Sequence, residues 1–125
     1  MIYINYMNIN KLNISLEKQR HRYFIYCIKF NNDIVYIGST NNFSQRKSKH
    51  KKNTTNKRGK LYWLKLYLYI RENGGINNFI FEILENGEKE TKEEIRKIEQ
   101  NFIDKYNPNL NSKKSFIDKS YISII

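Results

Sequence analysis

The chain contains one cysteine, Cys27, one proline, Pro108, two histidines and no alanine in 125 residues. A lone cysteine excludes an internal disulfide, so no disulfide partner is expected, and one Cys with two His cannot build a four-ligand zinc site. Any metal must therefore sit on oxygen ligands. The missing alanine, beside abundant Asn, Ile, Lys and Tyr, reflects a coding sequence rich in A and T and says nothing of chemistry. Long apolar runs are also missing. The longest, Tyr23 to Ile28 and Leu61 to Ile70, fall far short of a membrane span, and Lys65 interrupts the second. Asn5, Asn8, Asn10 and Asn13 break up the first residues, which lack the charged start and apolar centre of a signal peptide. A soluble, intracellular protein with no membrane partner is the expectation. Neither an internal repeat nor a glycine-rich phosphate loop in a βαβ setting is present.

Acidic residues are scarce as well, with 12 Asp and Glu against 23 Lys and Arg, a net charge of +11. Polyanions are the natural partner of such a chain, because cationic side chains release counterions from phosphates. The charge is polarised. Ile34 to Arg71 holds ten Lys or Arg and no acid, whereas Glu82 to Glu99 holds most of the acids. A solubilising surface is the plainer explanation of such a segment, and nucleic-acid binding the more specific one.

What is present suffices for one domain. Hydrophobic residues make up 39% of the chain and aromatics 14%, with 17 Tyr and Phe to fill one core. The folded part is expected over residues 21–112, with a weakly structured arm at 1–20 and a tail at 113–125. Tyr23 to Phe30 and Ile34 to Gly38 are β-branched and aromatic runs around Asn31-Asn32-Asp33, the pattern of a hairpin. A three-residue loop pairs Phe30 with Ile34, sets Tyr26 opposite Gly38 and Tyr36 opposite Ile28, and so turns both tyrosines to one face. A basic helix is predicted from Phe43 to about Lys52, capped by one of Ser39 to Asn42, with a polar loop from Asn53 to Gly59. Lys60 to Asn73 carries Trp63, Leu64, Leu66, Tyr67 and Ile70 at helical spacing and stops at Gly74-Gly75, which reads as a core helix. Asn78 to Glu85 alternates as a third strand. Thr91 with Glu94 forms a capping box that opens a helix ending before Pro108.

Glu99 is the most informative position. On a wheel of 100° per residue, Ile95, Phe102, Ile103 and Tyr106 lie within about 60° of it, so it occupies the middle of an apolar face. A buried, ionised carboxylate requires a cation, and a salt bridge to Arg or Lys would serve as well as a metal. Arg46 and His50 lie one turn apart beside Phe43. A guanidinium can hold a phosphate with two hydrogen bonds and an imidazole can move a proton, although an ordinary basic surface helix explains the same pair. Tyr26 and Tyr36 gain interest from their setting, since nearby cations would lower a phenol's pKa and let it orient or deprotonate water.

The order of these residues resembles the GIY-YIG endonuclease family. Phe24-Ile25-Tyr26, nine residues, then Tyr36-Ile37-Gly38 matches the paired motif, Arg46 and His50 match an R-x-x-x-H spacing, and Glu99-Gln100-Asn101-Phe102-Ile103 precedes Pro108 and Leu110-Asn111. The likeness spans about residues 22 to 111. It implies an α+β fold in which helices flank a three-stranded antiparallel sheet. It further implies one divalent cation, Mg²⁺ or Mn²⁺, held by Glu99 and offsetting charge on the leaving 3′ oxygen. Tyr26 or Tyr36 would help to activate water, Arg46 would stabilise the phosphate and His50 would orient or relay the proton. The partner implied is DNA, met through its phosphates by Lys47, Lys49, Lys51, Lys52, Lys57, Arg58 and Lys60, with Asn111 from the terminal motif and weak sequence preference. Two departures stand out: Phe24 replaces the first glycine, a change expected to alter packing under the sheet, and no further histidine precedes the core helix. A basic module that binds nucleic acid without cutting, and a degenerate relative acting through a protein partner, are the other readings. Glu99 argues against the first and the presence of all five site residues against the second.

Overall fold

The computed structural model describes residues 20–111. The expected arm and tail lie outside them, except for Arg20. Seven elements follow in order: β1 (His21–Phe30), β2 (Asp33–Thr40), α1 (Phe43–Thr55), α2 (Lys65–Glu72), a 3-10 turn (Ile76–Asn78), β3 (Ile80–Lys89) and α3 (Lys92–Tyr106). The strands form one antiparallel sheet in the order β2-β1-β3. This is the expected α+β architecture.

Strand alternation gives the sheet two buried faces. Tyr26, Ile28 and Val35 pack with Leu66, Tyr67, Ile70 and Phe79 on the side of α1 and α2. Tyr23, Ile25, Cys27 and Ile37 pack with Ile95, and with partly buried Ile98, Phe102 and Ile103, on the side of α3. Phe24, standing where the family pattern has glycine, belongs to neither cluster and lies between Thr40 and Asn86. Its expected effect on packing beneath the sheet is therefore not found.

The hairpin corrects one expectation while keeping its consequence. The loop has two residues, Asn31 and Asn32, with φ of 50° and 69°, and Phe30 pairs with Asp33. Two successive left-handed residues suit the twist of a tight hairpin, and asparagine tolerates that region better than most residues. A two-residue loop alone would separate Tyr26 and Tyr36 onto opposite faces. Between Ile28 and Lys29 the register slips, because Val35 is an extra residue in β2. Val35 and Tyr36 consequently both pack on the α1/α2 side, and Tyr26 still faces Gly38 and Tyr36 still faces Ile28.

Three boundaries also moved. Helix α1 opens on Asn42, whose side chain accepts from Gln45 N at 3.0 Å, but continues through Thr55. Thr54, four residues after His50, falls on the buried face and its hydroxyl donates to the His50 carbonyl at 2.8 Å. Helix α2 begins at Lys65, after turns that leave Trp63 59% exposed and outside the core. Strand β3 runs on to Lys89, past Gly87, whose missing side chain makes room for the Tyr23 ring. At α3 the capping interaction holds, Thr91 accepting from Glu94 N at 3.2 Å, while Tyr106 is exposed and stacked on Phe102.

Candidate active site

Strand β2 is an edge, and its outward backbone groups need partners. Asn111 provides them: its amide accepts from Ile37 N at 2.7 Å and donates to Ile37 O at 2.8 Å, while Leu110 N donates to Val35 O at 3.0 Å. The Asn111 side chain, expected at the nucleic acid, is committed to covering this edge. Beside it opens a cleft of about 190 Å³ lined by Tyr36, Leu64, Tyr67, Glu99, Ile103 and Asn111. Tyr36 comes from the α1/α2 face and Glu99 from the helix on the opposite face, so the two meet around the sheet edge and not on one side of it.

The half-buried Glu99 carboxylate accepts a hydrogen bond from Ser39 Oγ at 2.9 Å. The ion pairs among the described residues are Arg20 with Glu88 and Lys29 with Glu82, so Glu99 is not neutralised by a salt bridge there. Burial pushes its pKa up, against the opposing effects of the Ser39 bond and the Arg46 charge. Glu99 thus carries an electrostatic cost that a cation would relieve.

Behind the cleft, His50 is 3% exposed and stands between two phenols. Its Nε2 is 2.6 Å from the Tyr26 hydroxyl and its Nδ1 is 2.7 Å from that of Tyr67. Asn53 also donates to Tyr67 at 3.3 Å. Burial, with the Arg46 charge second, lowers the His50 pKa to about 4, so the imidazole is neutral near pH 7 and offers one donor and one acceptor. The phenols depart from expectation. Burial raises Tyr26 far above the ordinary tyrosine value and pushes Tyr36 up to about 12, outweighing the opposite pull of Arg46. Neither is a cation-activated phenolate. Tyr26 is fully buried, whereas Tyr36 is only partly buried and lines the cleft.

Arg46, half-buried on α1, bears electrostatically on Tyr26, Tyr36, His50, Tyr67 and Glu99. It lines a second concavity of about 360 Å³ with His21, Arg22, Ser39, Lys92 and Arg96. Ser39 therefore stands at both the Glu99 carboxylate and this basic basin. Lys47, Lys49, Lys51, Lys52, Lys57, Arg58 and Lys60 are all exposed, and Lys47 Nζ lies 5.6 Å from the Phe81 ring centroid. Sequence reasoning missed Ser39, Tyr67 and the basin cations Arg22, Lys92 and Arg96. Ser39 had shown only as a possible helix cap and Tyr67 only as core.

Among the described residues no helix is long and apolar enough to cross a membrane, and no three His, Cys, Asp or Glu cluster as metal ligands. Comparison with curated proteins and with solved structures finds no match. The GIY-YIG catalytic domain matches residues 22–114, which takes in both tyrosine strands, Arg46, His50, Glu99 and Asn111. With the three-stranded sheet and the flanking helices in place, the chain belongs to the GIY-YIG endonuclease family and carries its nuclease domain.

Proposed function

We propose that the protein is a divalent-metal-dependent endonuclease that hydrolyses phosphodiester bonds of DNA, with Tyr26, Tyr36, Arg46, His50 and Glu99 as its site. The observation that carries this reading is the Glu99 carboxylate, half-buried in the cleft beside Tyr36, fixed by Ser39 and without an ion-pair partner among the described residues.

The donor set fits one class of ion. A lone carboxylate cannot make a zinc or calcium cage, but Mg²⁺ or Mn²⁺ is satisfied by one carboxylate together with water and substrate phosphate oxygens. Glu99 would hold the ion, whose contribution when bound is to offset charge on the 3′ oxygen as the P–O3′ bond breaks.

The other residues divide the remaining work. Arg46, which lines the basin that Ser39 joins to the Glu99 carboxylate, would hold the phosphate and stabilise its added charge by paired N–H donors. Tyr36, protonated at neutral pH, orients the attacking water from the cleft wall and gives up its proton only as it takes another. His50, neutral near pH 7, relays a proton and does not store one: Nε2 accepts from the buried Tyr26 hydroxyl only as Nδ1 gives one up toward Tyr67, which also fixes the ring from the other side. Arg22, Lys92 and Arg96 continue the positive surface from Arg46, so phosphates flanking the scissile one follow the basin. The exposed cations of α1 and the following loop add less specific contacts.

Supercoiled plasmid and branched DNA incubated with Mg²⁺ or with chelator test the reading. Cleavage is expected from the wild type with Mg²⁺ alone, and from neither Glu99→Ala nor Arg46→Ala. Full cleavage by Glu99→Ala would remove the metal assignment. Salt-sensitive binding with no cleavage of any substrate would favour a module that binds without cutting.

A further inference from the structure

Trp63 is the only tryptophan of the chain and the most exposed of its large hydrophobic side chains among the described residues, at 59%. Single exposed hydrophobic residues are ordinary on protein surfaces. Trp63 differs in how it is held and in what surrounds it. Its ring stands perpendicular to that of Tyr62, with centroids 5.1 Å apart. The opposing support of Tyr62 is Arg71, whose guanidinium carbon lies 3.5 Å from the Tyr62 centroid. Arg71 also donates to the carbonyls of Thr54 at 3.0 Å and Tyr62 at 2.9 Å, tying the end of α1 and the loop to α2. The indole is thus presented on a braced segment.

The surroundings point to a ligand. Lys57, Arg58 and Lys60 on the same short loop are exposed, and no acid occurs between Ile34 and Arg71. Leu64, the next residue, lines the cleft that holds Tyr36 and Glu99. An exposed aromatic ring beside cations, one residue from the cleft, matches what unpaired nucleic acid requires: a flat face for the base and positive charge for its backbone. Bases within an intact duplex have both faces stacked on neighbours and cannot use it.

We infer that Trp63 is a stacking platform for an unpaired nucleobase of the substrate, and that the enzyme therefore favours DNA with single-stranded, gapped or branched character. This rests on the nuclease reading and adds the structural class of substrate to it.

The test uses the full chain in chelator, so that nothing is cut, and follows Trp63 fluorescence, which has no second tryptophan to confuse it. A single-stranded oligonucleotide should quench the indole strongly, a blunt duplex of the same sequence weakly, and inorganic polyphosphate of matched charge not at all. Trp63→Ala should weaken single-strand binding roughly tenfold and bring the single-strand to duplex affinity ratio toward one, while Trp63→Phe keeps most of the preference. Circular dichroism establishes that each variant is folded. Binding of DNA with unchanged Trp63 fluorescence, or an affinity ratio unaltered by Trp63→Ala, overturns the platform and leaves the nuclease reading intact. Failure to bind any nucleic acid overturns both, whereas a Trp63 that responds to a protein partner but not to bound DNA overturns the platform alone.

Discussion

The Tyr26 ring lies against the Cα of Gly38, so closely that a Cβ built on Gly38 would stand 2.6 Å from the Tyr26 hydroxyl and 2.7 Å from its ring carbon. The glycine of the second motif is there to admit the tyrosine of the first. Both atoms are buried, and Tyr26 is also bonded to His50, so the ring has little room to retreat. Gly38→Ala is expected to cost about 1–3 kcal/mol of stability through overpacking. It should also reduce cleavage much more than that loss of folded protein explains, because the Tyr26 to His50 bond is displaced. Urea unfolding and cleavage assays on the same preparation separate the two effects. Full activity in a folded Gly38→Ala protein would show that the bond is dispensable.

His50 makes acid the relevant stress. Its pKa falls from 6.5 to about 4 on folding, so between those values the unfolded chain binds a proton that the folded chain refuses. Its contribution is therefore complete above pH 6.5 and is lost as pH falls through about 4, by roughly 3 kcal/mol in total. Stability measured by urea unfolding from pH 7 to pH 4 should fall more steeply in wild type than in His50→Gln, which has nothing to titrate there. At pH 7 the variant should itself be less stable by about 1–3 kcal/mol, since two buried phenols lose their bonding geometry. Parallel pH curves for the two proteins would mean that His50 protonates freely in the folded state.

The residues of the site were legible in the sequence to different depths. The Tyr26 to Gly38 opposition and the odd placement of Glu99 follow from periodicity, one from the two-residue repeat of a strand and the other from the helical wheel. The route to the first was not legible. Loop length and bulge contribute to register together, and a two-residue turn with an extra Val35 gives the same pairing as a three-residue loop. Phenol acidity was misjudged because the sequence displays the cations and hides the burial that outweighs them. Trp63 shares its spacing with Leu66, Tyr67 and Ile70, yet the helix begins only after it. The partners that hold its loop, Thr54 and Arg71, lie on two separate helices.

The basin beyond Arg46 was invisible for a related reason, since Arg22, Lys92 and Arg96 meet only when β1 and α3 are assembled on either side of Ser39. If flanking phosphates lie there, replacing any one of the three by Gln should reduce the dependence of log affinity on log salt by about one. The loss in turnover should fall on KM more than on kcat, because these side chains position DNA without facing the scissile bond. DNA-binding titrations across a salt series, with chelator present, check this. An unchanged slope in a variant lacking both Arg22 and Arg96 would place the DNA elsewhere on the surface.

Glu99 sets function against stability. Its pKa is raised in the folded protein, so the carboxyl favours folding below its unfolded value of 4.5, and that contribution is lost as pH rises through the folded value. At neutral pH the ionised side chain is therefore a burden on the metal-free protein. Glu99→Gln removes the charge and keeps an oxygen that can accept from Ser39, so the variant should melt at a higher temperature than wild type in chelator. Each kcal/mol of relief is worth about 4–8 °C in a domain of this size. Adding Mg²⁺ should raise the wild-type Tm, because an ion that binds only the folded state stabilises it by mass action, and should leave Glu99→Gln unmoved. Cleavage should be absent in the variant throughout. Thermal melts with and without Mg²⁺ decide the matter independently of any activity: a Glu99→Gln protein that melts lower in chelator, or responds to Mg²⁺ as wild type does, would mean that Glu99 is a structural carboxyl and that the ion binds elsewhere.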